Sequence, residues 1–250
     1  SSDLVPFGLT AQEMNGWLLH GGGLELWREL YARYNLYPIP GGNTGVQMAG
    51  WFNREINSLD DIRGLKMRIP GLGGEVFEQA GGTAVNLPGG EIFTSMQTGV
   101  IDATEWVGPY NDLAFGLHQV AEYYYYPGWQ EAGPTLEVIV NQEAWQALPD
   151  DLKAILESAS LAVNTDMLAE YTARNNTALK ELTEQHGVKL RRLPDDVLAA
   201  FRQISEELTA ALVEDDELAR RIYDSWRDYQ ENVVEYHEIS ERAYINARAN

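Results

Sequence analysis

The feature that most constrains this chain is a change of character at Pro149. Before it, glycines and prolines interrupt the sequence every few residues; after it, almost none occur. The first part can therefore form only short elements, and the second reads as long helices. In the first part LYPIP (36–40), GVQMAGWFN (45–53), GLKMRIPG (64–71), GTAVNLPGG (82–90), DATEWV (102–107), AEYYYYPG (121–128) and TLEVIVN (135–141) read as strands with their turns. Helical segments lie between them at Leu24–Tyr34, Gly74–Ala80, Glu91–Gly99 and Tyr110–Leu117. Strands alternating with helices predict α/β units around mainly parallel sheet.

Pro149, Asp150 and Asp151 make a favourable first helical turn. Ala154, Ile155, Ala159, Ala162, Val163, Met167 and Leu168 recur at helical spacing, predicting a helix that runs to about His186. VKLRRL (188–193) reads as a short strand, and Pro194-Asp195-Asp196 opens another helix. From 215 to 248 a stripe of Leu218, Ile222, Trp226, Tyr229, Val233, Tyr236, Ile239 and Tyr244 needs a surface to bury it, either within the chain or on a second copy. No composition-shifted linker separates these parts, so two lobes would be joined by short hinge strands.

Charge limits the partners. The 250 residues include 38 acidic and 18 basic ones, a net charge of −20 that repels nucleic acid and anionic membrane surfaces. A small anionic ligand would need a local cationic trap. The chain has no cysteine, which excludes disulfides, thiolate nucleophiles and Cys-ligated metals. No apolar run is long enough to span a bilayer as a helix, and SSDLVPFGLT has neither the basic start nor the apolar core of a leader peptide.

Few residues are placed to carry chemistry. In LKMRI, strand alternation puts Leu65, Met67 and Ile69 on one face and Lys66 with Arg68 on the other. Arg68 either lies on a solvated face or, with a Pro-Gly turn close behind it, points into a cleft as a fork for a carboxylate. Glu105 and Glu131 each follow a predicted strand, where ligands bind in open α/β sheets. They are either solvated loop residues, a hard-cation site completed by amide and backbone oxygens, or a paired-carboxylate catalytic site. The histidines at 20, 118, 186 and 237 are scattered, and no H-E-x-x-H, G-x-S-x-G, P-loop or dinucleotide-binding glycine pattern occurs. The glycines at 21–23 read as a turn or helix spacer. Aromatic residues gather around the glycine-rich loops, and Trp106 beside Glu105 is the most economical pocket wall.

Taken together, GLKMRIPG, LPGGEIFTSMQTGVIDATEWVGPYND and the YYYYPGWQEAGPT run resemble the substrate-binding proteins of tripartite ATP-independent periplasmic (TRAP) transporters, in the branch that binds 2-oxo acids or lactate with a metal ion. The resemblance implies a binding protein rather than an enzyme, with an α/β fold of two lobes, crossing hinge strands and a long helical C-terminal extension. It implies that Arg68 clamps the substrate carboxylate, that Gln47 faces substrate and metal, and that Glu105, the Trp106 backbone carbonyl and Glu131 complete an oxygen-only site for Ca²⁺ or Na⁺. Trp106 also serves as pocket wall.

The expected partition is lobe I at 1–44 with 134–175, lobe II at 45–133 with 176–200, and a helical dimerisation segment at 201–250. Members of the family carry a leader and a strand–helix–strand portion of the first lobe upstream of VPFGLT, so the first lobe is expected to be incomplete here. The resemblance further implies a periplasmic location, a membrane permease as partner, homodimerisation and hinge closure over the ligand. Competing expectations are a metal-dependent enzyme acting on a 2-oxo acid and an interaction module built from the long helices.

Overall fold

Thr10 and Glu13 form a reciprocal capping box, with the Thr10 amide donating to Glu13 Oε2 at 2.7 Å, and start α1 (Ala11–His20) in the computed structural model, which describes residues 5–249. Sequence reading placed no helix there. Its signal was the capping box and the i, i+3, i+4 spacing of Met14, Trp17 and Leu18, all buried. Gly22 follows in the left-handed region at φ +87, and a Cβ on Gly23 would lie 2.6 Å from the Trp17 ring. The triple glycine is thus a tight turn into α2 (Gly23–Ala32).

From there the chain runs through β1 (Leu36–Asn43), β2 (Gly50–Phe52), β3 (Lys66–Arg68), α3 (Gly71–Gln79), β4 (Thr83–Val85), α4 (Gly89–Gln97), β5 (Ala103–Thr104), α5 (Pro109–Phe115), β6 (Tyr123–Tyr126) and β7 (Thr135–Asn141). The remainder is α6 (Gln142–Ala147), α7 (Asp150–Glu184), β8 (Lys189–Arg192), α8 (Asp195–Leu212), α9 (Glu217–Ile239) and α10 (Glu241–Ala249).

The strands sort into two sheets. β1 and β7 pair antiparallel, and the other six lie in the order β4-β3-β5-β2-β6-β8. β3 is parallel to β4 and β5, and β6 to β8, whereas β2 runs against both its neighbours. The larger sheet is therefore mixed. A parallel neighbour requires a crossover within the same sheet, and β2 arrives instead from the two-stranded sheet through residues 44–49. The chain returns through 127–134, and α7 packs on both β1 and α5, making a third connection.

Both faces of the larger sheet are covered. Tyr124 and Tyr125, adjacent in β6, point to opposite faces and are both buried, Tyr124 with Trp51, Ile92 and Leu182, Tyr125 with Phe52, Phe77, Trp129 and Phe201. Phe201 of α8 lies 4.3 Å from the Trp129 ring and 6.2 Å from Phe77, centroid to centroid. Phe201→Ala is expected to destabilise the fold by about 3–5 kcal/mol, read as a lower denaturant midpoint at unchanged slope.

The C-terminal aromatic stripe divides. Leu218 and Trp226 pack into a cluster with Leu9, Met14, Trp17 and Leu18, flanked by Ile222, Tyr229 and Val233. Beyond them Tyr236 is 60% exposed and Ile239 79%. Intrachain packing thus accounts for the first part of the stripe only. Among the described residues no helix is long and apolar enough to cross a membrane.

Candidate functional site

The two chain crossings lie against each other. The Gln47 amide donates to the Glu131 carbonyl at 3.0 Å, and Gln130 Nε2 to the Met48 carbonyl at 2.9 Å. A Cβ on Gly128 would sit 2.1 Å from the Gln47 carbonyl oxygen, so only glycine permits this approach. Gln47 and Glu131 are in this way fixed to the connection between the two sheets.

β3 and β5 supply the facing side. Arg68 ends β3, Glu105 directly follows β5, and the Glu105 amide donates to the Arg68 carbonyl at 3.1 Å. The Arg68 guanidinium forms an ion pair with the Glu105 carboxylate through Nη1, the two side chains being 13% and 3% exposed. Its Nε reaches the Leu87 carbonyl at 3.4 Å, and its plane lies over the Trp106 indole at 5.6 Å. Trp106 stacks in turn on Phe115 at 5.0 Å.

All five residues singled out in the sequence line one cleft of about 450 Å³. Thr44 joins them on the polar side, while Pro70, Pro134, Leu136, Met167 and Tyr171 form the apolar wall. Met167 and Tyr171 come from α7, and sequence reading gave neither a role in the pocket. A helix face lining a cleft has the same periodicity as one packed in a core. The other aromatics are elsewhere: Trp51, Tyr124, Tyr125 and Trp129 are core residues. The His118 and His186 rings lie 4.2 Å apart, tilted against each other, in a separate depression.

The electrostatics of the cleft are unbalanced. Burial pushes the Glu105 carboxyl well above the usual carboxylate range; nearby Glu131 pushes it further, Arg68 opposes both, and Asp112 adds a smaller upward push. Gln47 Nε2 reaches Thr44 Oγ1 at 3.4 Å, but its Oε1 is buried with no hydrogen-bond donor among the described residues. A buried amide oxygen without a donor beside two converging glutamates is a donor set for a hard cation. Among the described residues no group of three or more His, Cys, Asp or Glu converges for a metal, so a cation here must also draw on amide and carbonyl oxygens.

Asp112 was overlooked in the sequence. It sits in the first turn of α5, buried, and accepts from Trp51 Nε1 at 2.9 Å, Tyr124 OH at 2.7 Å and the Val107 and Gly108 amides, each at 3.1 Å. Burial raises its carboxyl to about 6 despite these four bonds, which all favour the ionised form. The available signal was an acid three residues after a Gly-Pro helix start.

The family model for bacterial extracellular solute-binding proteins of family 7 (DctP) matches residues 4–216. A monocarboxylate 2-oxoacid-binding periplasmic protein of Nostoc sp. is 43% identical over 242 residues, which cover 97% of this chain and 66% of that protein. The chain thus spans just under two thirds of that relative's length. A TRAP periplasmic solute-binding protein of Colwellia psychrerythraea, solved with bound calcium and pyruvate, superposes with a TM-score of 0.94 at 41% identity, over 98% of this chain and 75% of that one. Its counterpart from Pseudoalteromonas atlantica, solved with sodium and pyruvate, gives 0.92 at 43% identity, over 98% and 74%.

Proposed function

Because the chain belongs to the bacterial extracellular solute-binding proteins of family 7, we propose that it captures a small 2-oxo or 2-hydroxy monocarboxylate, pyruvate- or lactate-like, for delivery to a TRAP membrane permease from an extracytoplasmic location. The observation that carries the reading is the pairing, in one cleft, of the Arg68 guanidinium with a buried glutamate whose neighbour is a second glutamate. The relatives solved with pyruvate and a cation support it.

Arg68 is the anionic ligand's anchor. A guanidinium has five donors, so it can hold Glu105 and still present a fork to a ligand carboxylate. Gln47 Oε1, the carboxylates of Glu105 and Glu131 and the Trp106 carbonyl are the oxygens that would hold Ca²⁺ or Na⁺. When bound, the cation supplies positive charge that offsets the two glutamates and attracts the ligand's carboxylate and 2-oxo oxygen. Leu136, Met167 and Tyr171 exclude water from the ligand's alkyl end. Gln47 and Glu131 lie on the crossings themselves, so engaging a ligand there ties binding to any hinge motion between the sheets. The cleft captures and releases rather than transforms. The exposed end of α9, around Tyr236 and Ile239, supports a homodimer through the C-terminal helices.

Calorimetric titration with pyruvate is expected to show binding in calcium or sodium that weakens at least tenfold after chelation and ion exchange. Recovered pyruvate should be chemically unchanged. Binding indifferent to cations, or turnover of the ligand, would each defeat the reading.

A further inference from the structure

We propose that Asp112 is a positioning residue for the cleft, aiming the Trp106 carbonyl into it; this rests on the cation-and-carboxylate reading given above. The argument is geometric. The peptide joining Trp106 to Val107 is planar and trans, since Tyr126-Pro127 is the cis bond recorded among the described residues. In a trans peptide the C=O and the N–H point in opposite directions. The Val107 N–H is held by Asp112 at 3.1 Å on the buried side, so the Trp106 C=O faces the opposite way, toward the cleft that Trp106 lines.

The following peptide is fixed as well. The Gly108 amide donates to Asp112 Oδ1, while the Val107 carbonyl accepts from the Met48 amide at 3.1 Å. Asp112 is itself anchored, because its Oδ2 accepts from Trp51 and Tyr124, whose rings stack at 4.0 Å in the sheet core. One carboxylate thus ties the Val107–Gly108 segment to the sheet, and the Val107 carbonyl ties the same segment to the first crossing. Asp112 is not among the residues that line the cleft. Partners that orient a metal-binding group in this indirect way typically change metal affinity by about 10- to 100-fold when removed.

The test compares the whole chain with Asp112→Ala, Asp112→Asn and the double variant Asp112→Asn/Trp51→Phe, titrating calcium alone and then pyruvate at fixed calcium, with melting curves to establish folding. In Asp112→Asn one amide oxygen still serves both backbone amides, but its NH₂ opposes the Trp51 N–H. Trp51→Phe removes that conflict and leaves the Tyr124 hydroxyl to accept. Calcium affinity is expected to fall about 10- to 100-fold in Asp112→Ala and to return to within about threefold of the parent in the double variant, even where its melting temperature stays lower. Recovery of binding without recovery of stability separates positioning from a purely structural role. If a folded Asp112→Ala or Asp112→Asn binds calcium and pyruvate as the parent does, or if affinity follows melting temperature across the set, the positioning role is overturned while the cleft reading stands. If the parent binds neither calcium nor pyruvate, the cleft reading itself is overturned, and the positioning role with it.

Discussion

Arg68→Ala is expected to weaken pyruvate binding by about 30-fold to several thousand-fold, the equivalent of about 2–5 kcal/mol for truncating one partner of a desolvated, hydrogen-bonded charge pair. The size follows from where the side chain sits. Arg68 is only 13% exposed, it is the cation that meets Glu105, and it lies over the Trp106 ring rather than in bulk solvent. On the proposed reading its loss removes the anion's fork, and it also removes the interaction that lowers the Glu105 carboxyl through charge and hydrogen bond together. Two costs therefore fall on the same step. Arg68→Lys keeps the charge but not the planar fork, and its affinity should lie between parent and alanine variant. Calorimetry at fixed calcium, with circular dichroism to establish folding, makes the comparison. An alanine variant that binds within twofold of the parent would remove Arg68 from the site.

Much of this architecture is legible in the sequence because local signals and tertiary structure agree. Each of the seven strand segments read before Pro149 contains a strand, and Pro149-Asp150-Asp151 opens a single helix reaching Glu184, within two residues of the expected end. Periodicity failed where two environments share one pattern. Tyr171 and Met167 follow the same helical spacing as core residues, and only the fold turns them toward a cleft. The tyrosine run shows the reverse case: strand alternation puts Tyr124 and Tyr125 on opposite faces, and both faces are buried. The direction of β2 was hidden because strand sense depends on the path between sheets, which no window of sequence records.

The site divides along similar lines. Arg68, Glu105 and Glu131 were visible as charges near strand ends, and Gln47 and the metal role of Trp106 came only with the family resemblance. Neither route reached Asp112, whose importance lies in four bonds made by residues from 51 to 124. A buried charge that faces inward leaves no trace in amphipathic patterning. Nor did the sequence reveal that Arg68 is already paired: the residue read as a free clamp is held by the glutamate read as a metal ligand. On the proposed reading, ligand capture means redistributing partners among charges that are already buried, and replacing Glu105 is expected to have opposite effects on stability and function.

Glu105→Gln is expected to abolish cation-dependent ligand binding while making the ligand-free protein more stable at neutral pH. The sign follows from linkage. The Glu105 carboxyl stands well above its ordinary value of 4.5 in the folded protein, so the folded state holds that proton more tightly than the unfolded one. Its contribution is most favourable below the unfolded value and declines as pH rises through the window between the unfolded and folded values. At pH 7 without a cation the parent bears that cost, whereas an isosteric amide has no proton to lose. The advantage of the variant should shrink as pH falls toward about 4, where both states of the parent carboxyl become protonated. Calcium inverts the order: at about 100 times its dissociation constant it stabilises the parent by about 2.7 kcal/mol and leaves the variant unmoved. Melting curves of both proteins at pH 4.5 and 7, each in chelator and in calcium, contain the whole comparison. A variant less stable than the parent in chelator at both pH values would mean that the ion pair with Arg68 outweighs burial, and a variant still stabilised by calcium would take Glu105 out of the cation site.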